Sequence, residues 1–331
     1  MRRARVIARA HHDALVPEEL PEEAWLRERF GLDGSVAACA LPQADVAGAH
    51  LLVRPVHLHV AFDHLVLAPV TRLGIEAAEA EALAARANAL LADDGLRLSV
   101  ATADAWRLEA LDVPAGHAEL AALAALRVRS ARMAAGRNVD AYQPSGSAAR
   151  RWRQLSNLVQ MAWFDDPVNV AREAAGRLAV NGLWLEGRAG AVAHRPFARV
   201  HSDDATLAGL ARRSGAEVAP ADARAPAPEA LARGAAAADS AHASAADAVL
   251  LAPAFWTQAV SDGDLPAWEH AWEAFDRWFG ARLEASPHIA RRELRLVLTG
   301  ERSLVELALL PGDRWRPWRR LHLGALLRET S

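Results

Sequence analysis

Hydrophobic positions along the chain recur with two different spacings. "HLLVRPVHLHVAF" sets Val56, Leu58, Val60 and Phe62 on one side and His57, His59 and Ala61 on the other, the two-residue period of a half-buried strand, and "HLVLAP" continues as its neighbour. Ile75 to Asp93 is rich in Ala and Glu and predicts a helix, followed by strands in "GLRLSVAT" and "AWRLEAL". Trp152, Leu155, Val159, Ala162 and Trp163 recur at helical spacing between Arg150 and Phe164. Asp165, Asp166 and Pro167 stop that helix. Asp166 can cap a second helix with Pro167 at its first position, Gly176 ends it, and "LAVNGLWLEG" reads as a buried strand.

Toward the ends, a short strand is expected at Arg5 to Ala10 and a helix from Glu18 to Phe30, closed by Gly31 and Gly34. A helix spans Asp204 to Arg213, and order returns at "DAVLLAPAFW". The helix from Pro266 to Ala285 gathers Trp268, Trp272, Phe275, Trp278 and Phe279 on one side, and "ELRLVLTG" and "LVELALL" are strands. This alternation predicts an α/β fold with a mainly parallel sheet between helices. Residues 48–135, read as strand, strand, helix, strand, strand, are expected as an inserted α+β subdomain within a core of 1–47 and 136–331. Residues 216–246, scattered with prolines and poor in aromatics, are expected as a loose connection within that core.

With 331 residues, 52% of them apolar, the chain can bury a sizeable core. All 38 basic residues are arginine, against 41 acids, and the net charge of -3 gives no broad basic field, which disfavours nucleic acid and anionic membrane as partners. Cys39 is the single cysteine, so no intrachain disulfide and no Cys-rich zinc site can form. No stretch reaches the roughly 18 apolar residues of a spanning helix, and the N-terminus lacks a secretory pattern. A cytoplasmic bacterial protein is expected. Dinucleotide, P-loop and hydrolase-elbow motifs are absent.

"GRNVDAYQPSG", "RRWRQLSNLVQMAWF" and "DPVNVAREAAGRLAVNGLWLEG" together resemble a proteobacterial family that carries both the name cofactor-independent phosphoglycerate mutase and that of an Rpf-type regulatory protein; the likeness is specific over about Arg137 to Gly187. More distantly, Asn169, Arg172, Gly176, Asn181 and "EGRAG" look like a block of the archaeal-type cofactor-independent phosphoglycerate mutases, members of the alkaline phosphatase superfamily. "DAVLLAPAFWTQAVSDGDLPAWEHAWEAFDRWFG" looks like their metal-bearing region, and "LVLTGERSL" like their strand ending in an Asp-His metal pair. The resemblance implies an alkaline-phosphatase-like core. Aligned on Asp262-Gly263-Asp264, however, the metal positions fall on Thr257, Ser261, Glu301 and Arg302. Arginine cannot ligate a metal, and two-metal phosphoryl transfer needs carboxylates and imidazoles. The Asp-Gly signature of the family's first strand is missing as well.

The resemblance makes Asn169, Arg172, Asn181 and Arg188 donors to a phosphate or carboxylate; from the residues alone the favoured reading of Asn169 and Asn181 is bracing, each amide bonding backbone across the connection between helix and strand. Arg137 and Asn138 either hold a polar ligand or brace their loop, with Asn138 in a left-handed conformation. Arg302 is a further anion-binding candidate. His57 and His59, with Asp63 and His64 nearby, can chelate a metal or simply tip a half-exposed strand, and without a further ligand cluster no metal is expected. The tryptophans at 268, 272 and 278 are core or a dock for another subunit, which leaves a homo-oligomer or protein partner open. "DRWRPWRR" is read as a solvated tail in preference to a binding element. The expectation is a catalytically degenerate phosphoglycerate-mutase-like pseudoenzyme with a regulatory or small-anion-binding role and no cofactor; the alternative is a phosphomutase or phosphoester-processing enzyme with relocated metal ligands.

Overall fold

The computed structural model describes residues 5–11, 16–42, 50–221, 248–285 and 293–309. In chain order its elements are β1 (Arg5–His11), α1 (Pro21–Phe30), β2 (His50–Val56), β3 (Leu58–Ala61), β4 (His64–Leu67), α2 (Ala77–Leu91), β5 (Leu96–Thr102), β6 (Ala105–Ala110), α3 (Pro114–Ala124), α4 (Ala131–Ala134), α5 (Ala149–Trp163), α6 (Pro167–Ala174), β7 (Gly182–Gly187), β8 (Arg199–Ser202), α7 (Ala205–Arg213), β9 (Glu217–Ala219), β10 (Val249–Ala252), α8 (Thr257–Asp262), α9 (Leu265–Ala285), β11 (Leu294–Thr299) and β12 (Ser303–Leu309). The chain divides into a central unit, Arg27–Arg195 with Asp204–Glu217, and a terminal unit, Met1–Leu26, Pro196–Asp203 and Val218–Ser331. The expected loose connection, from residue 222 onward, and the 313–320 cluster lie outside the described residues.

The central unit is built on an antiparallel sheet of order β5-β6-β2-β7. Every residue of β7 is buried, and β2 is buried along most of its length. Helix α2 presents Ala80, Leu83, Ala84, Ala87 and Leu91 to this core, the stripe that its three- and four-residue spacing requires. Its start is fixed by a reciprocal capping box between Glu76 and Glu79. Helix α5 adds Trp152, Leu155, Val159 and Trp163. Trp163 meets Trp106 edge to face at 5.8 Å and donates its indole N–H to Leu83 O at 3.0 Å, so the ring is buried with its polar atom satisfied. Beside this sheet β3 and β4 form a separate two-stranded ribbon.

The structure differs from the sequence-based architecture in three respects. Strands β2, β5 and β6 share one sheet and one core with β7 and α5, so 48–135 is not set apart from the residues that follow. The expected long strand over 50–62 breaks at His57 into β2 and β3. The largest described sheet is antiparallel, while β8 and β10 pair in parallel. The mixed α/β class stands.

The terminal unit holds the antiparallel sheet β1-β12-β11 and the sheet β10-β8-β9. Helix α9 turns its aromatic side onto Phe255 and Trp256: Trp256 lies 4.6 Å from Trp272 and Phe255 5.6 Å from Trp278. That stripe therefore packs within its own unit, with Trp268 at the exposed end. Among the described residues, no helix is long and apolar enough to cross a membrane.

Candidate functional site

The polar residues around α6 lie inside the central unit. Asp166 caps the helix, its carboxylate accepting the Val168 N–H at 2.9 Å; Pro167 fills the first position and Gly176, at φ 70°, ends the run. This placement buries Asn169 and Arg172. The Asn169 amide donates to Trp163 O at 2.7 Å and Val180 O at 2.8 Å, and its oxygen accepts Val180 N–H at 2.8 Å. It ties α6 to the end of α5 and to the approach of β7.

Arg172, 1% exposed, spends its guanidinium on Leu178 O at 2.8 Å, Glu79 at 2.5 Å and Leu73 O. Glu79 also receives Arg177, whose two terminal nitrogens reach its oxygens at 2.8 and 3.0 Å. Burial pushes the Glu79 carboxyl upward, but the Glu76 backbone N–H and the Arg172 and Arg177 guanidiniums outweigh it and hold the group below its usual 4.5. One carboxylate thus anchors two arginines beside the helix it helps to cap.

Asn181 braces a different connection. Its oxygen accepts Leu58 N–H at 2.7 Å, its amide donates to Leu58 O at 2.8 Å, and its own N–H reaches Val56 O at 3.0 Å. The side chain substitutes for a strand neighbour where β2 passes into β3.

The remaining candidates are dispersed. Arg188 is exposed and bonds Asp33 at 3.1 Å, in a loop whose Gly190 lies so close to Asp33 O that an added Cβ would sit 1.2 Å from it. Arg137 bonds Met133 O. Asn138 accepts Asp140 N–H at 2.9 Å with φ −59°, so the expected left-handed residue is instead Gly136, at φ 73°, where no side chain opposes the turn. Glu301 and Arg302 are exposed in the turn joining β11 to β12, in the terminal unit; Thr257 opens α8 and is exposed; the Ser261 side chain lies outside the described residues. Asn169 and Arg172 thus share one buried polar layer, Asn181 sits on the same approach to β7, Arg137, Asn138 and Arg188 do not join it, and Arg302 belongs to the terminal unit.

Sequence reasoning passed over Arg54 and Glu186. Glu186 is 2% exposed; it accepts Arg54 at 2.7 Å with one oxygen and Ala131 N–H at 2.7 Å with the other. Burial lowers the Arg54 pKa, and Glu186 with Asp104 more than reverses that, leaving it above the usual value. An acid inside the apolar run "GLWLEG" was the available signal. Among the described residues no three His, Cys, Asp or Glu side chains are grouped to hold a metal.

No family model matches the chain, and no curated protein matches it. Solved structures do. The cofactor-independent phosphoglycerate mutase of Thermoplasma acidophilum DSM 1728 is 15% identical over 94% of this chain and 80% of its own, at a TM-score of 0.36, a distant similarity. The PH0037 protein of Pyrococcus horikoshii is 13% identical over 96% of this chain and 79% of its own, at a TM-score of 0.50, so what this chain has in common with it is the fold.

Proposed function

We propose that this protein is a catalytically degenerate, phosphoglycerate-mutase-like pseudoenzyme of the alkaline phosphatase superfamily, with a regulatory or small-anion-binding role. The observation that carries the reading is the commitment of Arg172: the arginine that the sequence resemblance assigns to a phosphoryl ligand gives every arm of its fork to protein acceptors. Asn169 and Asn181, the amides of the same block, are spent on backbone. The replacement of the family's metal positions by Thr257, Ser261, Glu301 and Arg302 supports the same reading. An anion in the central unit then falls to Arg188, which is exposed and engages one carboxylate.

The test is conversion of 3-phosphoglycerate, followed by phosphorus NMR with manganese present and again with chelator. The expected result is no 2-phosphoglycerate in either sample. Manganese-dependent interconversion that chelator abolishes would overturn the proposal in favour of a phosphomutase with relocated ligands.

A further inference from the structure

The geometry points to a transition-metal site formed by His57, where β2 breaks from β3, and His59 on β3. The inference is independent of the function proposed above. His57 Nδ1 lies 2.8 Å from Ala179 O. A carbonyl only accepts, so Nδ1 carries the proton, and the lone pair of the neutral ring lies on Nε2. A backbone carbonyl on the second ring nitrogen is the outer-shell partner that orients ligating histidines in metal sites. The His59 ring is stacked on it, with centroids 6.1 Å apart and planes 19° apart, which places both imidazoles on the same side of the chain.

The backbone between them is held from both sides. Leu58 has its N–H and its carbonyl clamped by the one Asn181 amide, while β4 pairs with β3 in fixed register, Leu58 opposite Leu67 and His59 opposite Val66. The His57 carbonyl accepts Ala68 N–H at 2.9 Å. An imidazole at the break before β3 and a second two residues on, within β3, form a partly preorganised chelate on this pinned backbone. Two nitrogens on one ion, each at about 2.0–2.1 Å, lie closer together than the stacked rings. His59 is exposed and closes that gap by side-chain rotation, while His57 stays anchored.

With no third side chain grouped there among the described residues, water completes the sphere. Two neutral imidazoles select borderline cations, with Cu2+ held more tightly than Zn2+ and neither Mg2+ nor Ca2+ retained.

The experiment is calorimetric titration of the full chain, free of added histidines, with Cu2+ and Zn2+ at about pH 7.5, where imidazole is neutral. One ion per chain is expected, with affinity at least about tenfold weaker in His57→Gln and in His59→Gln. His117→Gln, on α3, should bind as the parent does. His59 is exposed, so that variant tests the site without a threat to folding. Nitrogen hyperfine structure in the Cu2+ electron paramagnetic resonance spectrum should be present in the parent and reduced in His59→Gln. Absence of binding, full affinity in His59→Gln, or an equal loss in His117→Gln would overturn the assignment.

Discussion

At the scale of single residues, Arg172 is a buried arginine committed to three protein acceptors. Its removal leaves Glu79 with one arginine and strands the carbonyls of Leu73 and Leu178. Arg172→Ala should destabilise the protein by about 3–5 kcal/mol, the cost of leaving one partner of a buried pair behind, as read from urea unfolding. Arg172→Lys should recover only part of that, because a point charge cannot serve three separate acceptors. A ligand-binding arginine would behave differently: Arg172→Ala would leave stability nearly unchanged.

Glu79 predicts a pH dependence with a definite sign. Its folded pKa is depressed, so the stability it contributes is present above its unfolded value of about 4.5 and is lost as pH falls through the lower folded value. Acid titration of the unfolding midpoint should therefore show a flatter limb below about pH 4.5 in Glu79→Gln than in the parent. An unchanged limb would mean that Arg172 and Arg177 do not hold this carboxylate in solution.

Legibility was uneven even here. Asp166, Pro167 and Gly176 could be read because capping is a local contract, complete within a few residues. Bracing by Asn169 is readable in kind but not in its partners, and the role of Arg172 is not readable at all, since the groups at 73, 79 and 178–180 become neighbours only through the fold.

At the scale of elements, the same distinction separates helices from strands. The stripe on α5 and the cap of α6 matched their local patterns, so Asp166→Ala should cost about 0.5–2 kcal/mol. The pairing of β2 with β7 was not legible. A strand buried on both faces reads as a continuous apolar run in either orientation, and "GLWLEG" carries no mark that its neighbour is antiparallel. Helix α3 is not legible in the sequence because its run of Ala and Leu lacks a polar face to set a period.

Close helix approach was also invisible in the sequence. An added Cβ on Gly209 of α7 would lie 1.8 Å from Cys39 O, a clash with backbone that no rotamer relieves. Gly209→Ala should destabilise by roughly 1–3 kcal/mol or more, although alanine is the better helix former. A neutral or stabilising outcome in chemical denaturation would show that α7 does not pack this tightly in solution.

At the scale of the whole molecule, Cys39 reports on the central unit from within. It is fully buried beneath α7, and burial pushes its thiol up to about 11, against a smaller opposing pull from Arg213. The raised pKa suppresses the thiolate that alkylating and disulfide reagents attack, and burial denies those reagents access. Native protein at mild alkaline pH should react with a thiol reagent roughly a thousandfold or more slowly than denatured protein, because labelling must wait for the unit to open. The raised pKa also fixes the alkaline behaviour. The unfolded thiol ionises near 9 and the folded one near 11, so this group's contribution is intact below 9 and declines as pH rises through that interval. Cys39→Ala should remove that slope while keeping the fold, with a modest loss from the smaller side chain. Rapid native labelling would place Cys39 at an accessible surface, and α7 could not then be seated over it.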